Sequence, residues 1–382
     1  MARIAIDYTA AHEQGGGIGR YVRELVTALA CEATPHRYPL FVAGARRSEL
    51  PAPPAPAFTW HPTRITPRWF ARLWHRARLP LPVETFTGPV DLYHATDFTL
   101  PPTLPGTKTL LTVHDLSFVR VPDSASPPLK AYLDVVVPRS AQRADHILAD
   151  SQATRNDLIE LYGIVPDKIT VLLSGVDAHF RPVTDAAARA AVRAKYDLGE
   201  RPYIFTIGTV QPRKNYARLM LALARLRESG QDVTLVIAGG KGWLEDPIYA
   251  ALDELKLRDH VRFLGFAADA DLPALYSEAR ALAFPSLYEG FGLPILEAMA
   301  CGTPVVTANV SSMPEAAGDA ALLIDPYDVD ALTDALDRLL HDESLRADLI
   351  ARGQAQAARF TWARAARELI AVYDWLLKSP SN

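Results

Sequence analysis

Two carboxylates, Glu289 and Glu297, have seven residues between them in the run EGFGLPILEAMACGTPVV. Pro294 suits the first position of a helix, because a missing N–H costs nothing there. The run therefore predicts a loop that carries Glu289 and a helix that carries Glu297, whose side chain leans back toward the loop. Carboxylates accept from hydroxyls, and free amides at a helix N-terminus bind anionic oxygens. The pattern predicts a site for a ligand with both hydroxyls and phosphates, although a bare glutamate pair would also fit a capped surface loop.

Two further motifs follow predicted strands. Arg213 and Lys214 are adjacent cations in the loop GTVQPRKN, and phosphate oxygens that gain charge as a leaving group departs need such partners. His114 and Asp115 end the strand in TVHDLSF, where the pair is either functional or a helix cap beside a structural histidine. Ligands of parallel sheets bind outside the carboxyl ends of the strands, so both motifs lie where chemistry is expected.

A glycine run, GGGIGRY, follows the first predicted strand. Glycines allow close approach to a ligand, and the helix that begins near Ile18 offers the positive end of its dipole. The spacing of these glycines does not match the dinucleotide-binding fingerprint, and the strand PLFVAG lacks the acidic residue that would bind a ribose. An ordinary loop remains the alternative interpretation.

Strands that alternate with helices position these motifs. The strands are predicted at IAIDY, PLFVAG, DLYHATD, TLLTVHD, HILADS and ITVLLSGV, and then at YIFTIGT, VTLVIAGG, VRFLG, ALAFPS, TPVVTAN and ALLID. This alternation is typical of parallel sheets covered by helices on both faces, so we predict an α/β fold with two doubly wound sheets. The polar segment GVDAHFRPVTD separates two domains, at 1–177 and 183–360.

The composition is typical of a cytoplasmic globular enzyme. A chain of 382 residues is long enough for two domains, and its 49% hydrophobic and 22% charged residues are ordinary values. A net charge of −4 gives no general attraction to nucleic acid or to membranes. The two cysteines, Cys31 and Cys301, form no disulfide framework. The opening residues predict a strand rather than an apolar signal segment, and no apolar run is long enough to span a bilayer.

Taken together, the motifs resemble the retaining glycosyltransferases of family 4, whose signature is EGFGLPxLEAMAxGxPVV and which carry GGIxRY near the N-terminus. The resemblance implies the GT-B fold, with two Rossmann-like domains that face a central cleft. It implies that the first domain binds the acceptor, the second binds a nucleotide-sugar donor, and the C-terminal helix, 361–382, packs back onto the first. No cofactor is expected, because the nucleotide sugar is a substrate.

The resemblance also implies roles for individual residues. Glu289 accepts hydroxyls of the transferred sugar and Glu297 those of the ribose, while Arg213 and Lys214 stabilise the departing diphosphate. His114 is expected to face the transferred sugar and to orient it or stabilise its positive charge. The catalytic set is therefore His114, Glu289, Arg213 and Lys214. The donor-binding set is Gly16, Gly17, Gly265, Phe266, Glu289, Phe291, Gly292, Leu293 and Glu297.

The subgroup that the motifs resemble most makes bacterial O-antigen and exopolysaccharide. This predicts transfer of mannose from GDP-mannose, with retention, onto a glycan or lipid-linked acceptor in the synthesis of cell-surface polysaccharide. Transferases that use UDP-glucose, UDP-N-acetylglucosamine or dTDP-rhamnose share the same motifs, so these donors remain alternatives. A nucleotide-sugar epimerase has two similar domains but lacks the glutamate motif, and a catalytically dead subunit would not need Arg213, Lys214 and both glutamates.

Two DxD sequences, Asp269–Asp271 and Asp328–Asp330, could be read as metal ligands. Each opens a predicted helix, where acidic residues cap the first turn and complement the dipole. No histidines and cysteines cluster at ligand spacing. We therefore predict no metal site and a metal-independent reaction.

The segment 64–78 combines arginines with tryptophans. Arg64, Arg68, Arg72, Arg76 and Arg78 occur in a stretch without acidic residues, and Trp69, Phe70, Leu73, Trp74 and Ala77 form an apolar stripe at helical spacing. The pattern fits a peripheral contact with anionic membrane at the inner face, or a site for an acceptor that carries a lipid diphosphate. It also fits a helix packed on its own domain with arginines outward, although the coincidence of charge and aromatic residues favours the functional interpretation.

Overall fold

The computed structural model describes residues 1–379 and divides into two compact units. The first comprises Met1–Leu116, Ala131–Gly175 and the chain from Thr361 onward, and the second comprises Ser117–Lys130 and Val176–Phe360. Each unit contains one parallel sheet with helices packed against it. The predicted fold class, two doubly wound α/β domains, is confirmed.

The first sheet has seven strands in the order β3-β2-β1-β4-β5-β6-β7. The strands are β1 (Ile4–Asp7), β2 (Tyr38–Ala43), β3 (Phe58–Thr63), β4 (Leu92–Ala95), β5 (Lys108–Val113), β6 (His146–Ala149) and β7 (Ile169–Val171). Most of these strands are buried along their whole length, as expected for a parallel sheet covered on both faces. The order reverses between β1 and β4, so the loops that follow those strands diverge and leave room for a ligand.

The second sheet has six strands in the order β10-β9-β8-β11-β12-β13. They are β8 (Tyr203–Ile207), β9 (Thr234–Ala238), β10 (Val261–Gly265), β11 (Ala281–Phe284), β12 (Val305–Ala308) and β13 (Ala321–Ile324). Here the order reverses between β8 and β11. The loops after these two strands carry the cation pair and the first glutamate of the sequence motifs.

Helices lie between most successive strands, and three more follow β13. In chain order they are α1 (Thr9–Glu13), α2 (Ile18–Cys31), α3 (Pro67–Phe70), α4 (Glu84–Thr87), α5 (Ser117–Arg120), α6 (Pro127–Arg143), α7 (Gln152–Tyr162), α8 (Ala186–Lys195), α9 (Tyr216–Glu228), α10 (Asp246–Glu254), α11 (Leu272–Glu278), α12 (Leu293–Ala300), α13 (Met313–Ala317), α14 (Val329–His341), α15 (Glu343–Ala357) and α16 (Trp362–Lys378). A π-helical segment, Ala71–Arg76, continues α3. Side-chain oxygens of Ser151, Asp328 and Thr361 cap α7, α14 and α16, as their residue types predict.

Helix α16 belongs to the first unit although it comes last in the chain. Its apolar face, which includes Trp362 and Leu369, is part of the same buried cluster as Ile4 and residues of α2. Tyr373 adds a polar tie, because its hydroxyl lies 2.8 Å from His94 Nδ1 on β4. The C-terminal helix is therefore part of the core of the first unit.

One segment lies outside the predicted domain boundary. Residues 117–130 fall within the predicted first domain, 1–177, but cluster with the second unit. There the Trp243 indole donates to the backbone oxygen of Ser124 at 2.7 Å. A hydrogen bond between residues so distant along the chain could not be predicted from local sequence.

Candidate active site

Arg213, Lys214 and Glu289 form one ion cluster. Arg213 Nη1 lies 2.7 Å from Glu289 Oε2, and Lys214 Nζ lies 2.6 Å from Oε1. Sheet order explains the meeting, because β8 and β11 are neighbours and the loops that follow them lie at the same edge. The Arg213 guanidinium also donates to the backbone oxygen of Tyr288 at 2.6 Å, which holds the two loops together. Three of the predicted catalytic residues are thus adjacent.

The cluster carries two cations against one carboxylate. Burial alone would raise the pKa of Glu289, but Arg213 and Lys214 outweigh it and lower that pKa to about 2. Glu289 is therefore ionised at neutral pH, and one net positive charge remains. Lys214 and Glu289 are each only 8% exposed, and a charge screened less by water attracts an anion more strongly. The cluster is suited to the oxygens of a phosphate.

Two residues that sequence reasoning missed hold Lys214 in place. A Cβ at Gly208, which has φ +149, would lie 2.6 Å from Lys214 Cε. Any other residue at this position would therefore displace the lysine side chain. Asn215 has φ 62, and its amide donates to the backbone oxygens of Pro285 (3.0 Å) and Pro326 (2.7 Å). The glycine at a strand end and the asparagine after a cation pair are the signals that could have indicated them.

The start of α12 presents open amides. Among the residues that the structure describes, the backbone N–H groups of Phe291, Gly292 and Leu293 have no acceptor. Gly292 adopts φ +110 just before the helix. Ser312, also missed from sequence, fixes this loop, since its hydroxyl oxygen lies 2.8 Å from the backbone oxygen of Glu289 and 2.9 Å from that of Phe291. Open amides at the positive end of a helix favour anionic oxygens.

Glu297 lies on α12 and is almost fully enclosed. The Tyr276 hydroxyl of α11 donates to its Oε2 at 2.8 Å. Part of this carboxylate therefore serves the packing of two helices. The role of Glu297 in binding ribose hydroxyls remains a prediction that rests on the family resemblance.

The predicted base-binding segment lies at the same edge as the cluster. Gly265 ends β10 with φ +67, and its backbone oxygen accepts from Gly239 N at 2.7 Å. Gly208 N in turn donates to Ala238 O at 2.8 Å, which places the ends of β10, β9 and β8 side by side. Phe266 follows with an exposed side chain. An exposed aromatic residue at this edge of the sheet suits the flat face of a nucleobase.

The glycine run lies in the first unit, at the turn before α2. Gly17 has φ 52 and precedes the helix, and a Cβ at Gly16 or Gly17 would meet no atom within 4 Å. These two glycines therefore border open space, whereas a Cβ at Gly19 would clash with the backbone of Gln14. Arg23, which sequence reasoning missed, donates to three backbone oxygens of the preceding turn and fixes its shape.

His114 lies at the end of β5, but both nitrogens of its ring have protein partners. Nδ1 lies 2.7 Å from Asp150 Oδ2, and Nε2 lies 2.8 Å from Thr96 O. Burial alone would lower the pKa of His114, but Asp150 outweighs it and raises that pKa to about 9. The imidazole is a buried cation, so the expected ring contact with a sugar has no support in this geometry. A cation would also not stabilise positive charge on the sugar.

Two family models match the chain. The model described as Glycosyltransferase Family 4 matches residues 15–180, and that described as Glycosyl transferases group 1 matches residues 188–356. The O-antigen chain mannosyltransferase B of Escherichia coli is 36% identical over 286 residues, which cover 75% of this chain and 74% of that protein. The chain belongs to glycosyltransferase family 4.

Other comparisons agree with this family. The D-inositol 3-phosphate glycosyltransferase of Salinispora tropica is 39% identical over 60% of this chain, a match that spans 51% of that protein. Among solved structures, a sucrose-phosphate synthase from Thermosynechococcus elongatus has a TM-score of 0.77 at 23% identity, covering 98% of this chain and 99% of that one. Anabaena Alr3699/HepE, solved with UDP and glucose, has a TM-score of 0.75 at 21% identity over 98% of this chain and 100% of that one. At these identities the solved structures show the shared GT-B fold.

The two DxD sequences of the glycosyltransferase bond to protein groups. Asp271 accepts from Lys195 at 2.5 Å and from the Tyr196 hydroxyl at 2.6 Å, so it does not cap α11 as predicted. Asp328 does cap α14, and Asp330 pairs with Arg225. Among the described residues no group of three or more histidine, cysteine or acidic side chains is arranged to hold a metal ion.

The segment 64–78 of the glycosyltransferase folds differently from the predicted membrane helix. Trp74 is 8% exposed, stacks on Phe70 with ring centroids 4.0 Å apart, and donates to Leu81 O at 2.8 Å. Trp74 therefore cannot enter a membrane interface, which corrects the expectation for this residue. Trp69 is 53% exposed, with the Arg72 guanidinium 4.8 Å from its ring centroid. No helix within 1–379 is long and apolar enough to cross a bilayer.

Proposed function

We propose that the protein transfers mannose from GDP-mannose, with retention at the anomeric carbon, onto a glycan or lipid-linked acceptor during the synthesis of bacterial cell-surface polysaccharide. The observation that supports the transfer of a sugar from a nucleoside diphosphate is the ion cluster of Arg213, Lys214 and Glu289 together with the open amides that begin α12. Positive charge and free N–H groups bind a diphosphate, and a carboxylate accepts from sugar hydroxyls.

The cluster would act on the departing diphosphate. In the transfer, the bond between the anomeric carbon and the diphosphate oxygen breaks, the acceptor oxygen bonds to that carbon, and the acceptor proton passes to the departing diphosphate or to water. Negative charge grows on the diphosphate as the bond breaks. Arg213 and Lys214, already oriented by Glu289, meet that charge without reorganisation, which is the most effective form of electrostatic stabilisation.

The choice of mannose rests on relatives rather than on geometry. Besides the O-antigen chain mannosyltransferase B, a serotype-specific mannosyltransferase of Escherichia coli is 35% identical over 62% of this chain, although the match spans only 30% of that protein. We further propose that the enzyme acts in the cytoplasm, at the inner face of the membrane, where a lipid-linked acceptor would meet it.

A panel of nucleotide sugars tests the proposal. The protein is incubated with GDP-mannose, UDP-glucose, UDP-N-acetylglucosamine and dTDP-rhamnose, with and without a lipid-linked acceptor, and the release of nucleoside diphosphate is measured. We expect release from GDP-mannose, increased by acceptor. Turnover of a different donor alone would show that the transferred sugar is not mannose. An epimerised sugar without a transfer product would overturn the transferase function.

A further inference from the structure

A cavity of about 660 Å³ lies within the first unit, between the π-helical segment and α6. Its volume falls in the range of small-molecule sites, roughly 300–1,000 Å³. Much of the wall is apolar and is formed by Trp74, Val136 and three prolines, Pro80, Pro102 and Pro138. Burial lowers the pKa of the adjoining His75 to about 4, so this wall residue is neutral at physiological pH.

Three arginines, Arg78, Arg139 and Arg143, line this cavity. Arg78 and Arg139 are exposed, and neither has a carboxylate partner within residues 1–379. Arg143 donates to the backbone oxygens of Leu100 (3.1 Å) and Pro101 (2.9 Å), so its charge is also not neutralised by an acid. Three cations without acidic partners among residues 1–379 thus line a largely apolar cavity, and they are complementary to an anionic group on a hydrocarbon chain.

We propose that this cavity binds a lipid phosphate or diphosphate, with the anionic group at Arg78 and Arg139 and the first part of the hydrocarbon chain against Trp74 and the prolines. The inference rests on the proposed function, because it identifies the carrier of the acceptor sugar as such a lipid. Exposed Trp69 and Leu79 flank the segment and offer apolar surface to the rest of the chain. Trp74 thus serves as a wall of the site.

Calorimetry with three probes tests the ligand chemistry. Farnesyl diphosphate has both the anion and the chain, inorganic diphosphate has the anion only, and farnesol has the chain only. We expect farnesyl diphosphate to bind at least roughly tenfold more tightly than either of the others, because each half of the cavity contributes. If inorganic diphosphate bound as tightly as farnesyl diphosphate, the site would recognise only the anion, and the proposal would be overturned.

Variants separate the cavity from the surrounding surface. Arg78→Gln and Arg139→Gln should each weaken farnesyl diphosphate binding roughly tenfold, and Gln142→Trp, at an exposed lining position, should block it. Arg64→Gln is the matched control, since Arg64 is exposed in the same segment but does not line the cavity. An equal loss in Arg64→Gln, or unchanged binding in Gln142→Trp, would contradict the cavity. Circular dichroism checks that each variant folds.

The donor assay keeps this inference distinct from the proposed function. Absence of farnesyl diphosphate binding with normal turnover of a nucleotide sugar would overturn the lipid site alone. Tight binding of farnesyl diphosphate with no turnover of any nucleotide sugar would overturn the transferase function alone.

Discussion

At the residue scale, the ion cluster orients two cations before a ligand binds. Arg213 and Lys214 are long, flexible cations, and each would lose rotamer freedom if a ligand had to order it. Glu289 orders both in advance through bonds of 2.7 and 2.6 Å, and its own charge leaves a net positive charge on the cluster. The donor then meets cations that are already oriented.

Replacing Arg213 or Lys214 by alanine should lower kcat by roughly 10²-fold or more, with a smaller change in KM, because the contact strengthens as the leaving group departs. Steady-state kinetics with the preferred donor measures both. Arg258→Ala is the control, since Arg258 is an exposed cation of the same unit paired with Asp253. Parental kcat in both cluster variants at saturating donor would rule out the proposed contact.

The buried pair of His114 and Asp150 predicts a pH dependence of stability. The pKa of His114 rises from 6.5 in the unfolded chain to about 9 in the folded protein. Protonation of His114 therefore stabilises the folded protein fully below pH 6.5, and this contribution is lost as the pH rises through about 9. The loss of unfolding free energy caused by His114→Gln should thus be larger at pH 6 than at pH 9.5.

Urea unfolding at both pH values measures this difference. The exposed His341 provides a control, and His341→Gln should follow the parent at each pH. A His114→Gln penalty that is equal at pH 6 and pH 9.5 would show that the imidazole is not a buried cation.

The cations of the cluster occupy the place where other enzymes use a metal, so we expect a metal-independent reaction. Three of the four DxD aspartates have protein partners: Asp271 bonds to Lys195 and Tyr196, Asp330 pairs with Arg225, and Asp328 caps a helix. Activity should survive prolonged chelation followed by gel filtration. A loss of activity that manganese or magnesium restores would show that the reaction needs a metal.

At the element scale, glycines decide how closely the strand ends approach each other. A Cβ at Gly239 would overlap the backbone oxygen of Gly208, and φ at Gly239 is +149. Gly239→Ala should cost roughly 1–3 kcal/mol or more of unfolding free energy and displace the loop that carries the cations. Its neighbour Gly240 has no atom within 4 Å of a built Cβ, so Gly240→Ala is a matched control. Similar urea midpoints for the two variants would contradict the close approach.

Most elements could be predicted because buried parallel strands are continuous apolar runs between helices. Twelve predicted runs correspond to strands, whereas β3 was missed. This edge strand is only partly buried, and its sequence is interrupted by His61 and Pro62. Its sequence, FTWHPT, therefore lacks the apolar run by which the other strands were recognised.

Side-chain partners were harder to predict than elements. The meeting of Lys214 with Glu289 spans 75 positions, and only strand order brings the two loops together. His114 bonds to Asp150, 36 positions away at the end of a neighbouring strand, and the motif alone did not reveal this partner. Trp69 and Trp74 form one helical stripe in the sequence, but periodicity cannot distinguish a tryptophan that packs on Phe70 from one that faces solvent.

At the scale of the whole molecule, the two units have separate cores, and the last helix contributes to the first. Leu369→Ala should therefore cost roughly 2–5 kcal/mol and lower hydrogen-exchange protection in β1, β4 and β5. Leu336→Ala, at an equally buried position in the other core, should instead lower protection in β8 and β9. Mass spectrometry of peptides from each unit measures the two patterns. Loss of protection in β8 rather than β1 on Leu369→Ala would contradict this division.

The position of α16 has a consequence during synthesis. The ribosome makes β1 through β7 early, but the apolar surface that Trp362, Leu369 and Tyr373 cover stays open until α16 emerges. At roughly 5–20 residues per second, the delay is on the order of 10 s or more. The second unit can complete its core while the first still lacks α16. A chaperone would therefore bind the nascent first unit at this stage. A premature stop codon before α16 would leave the apolar surface of the first unit uncovered.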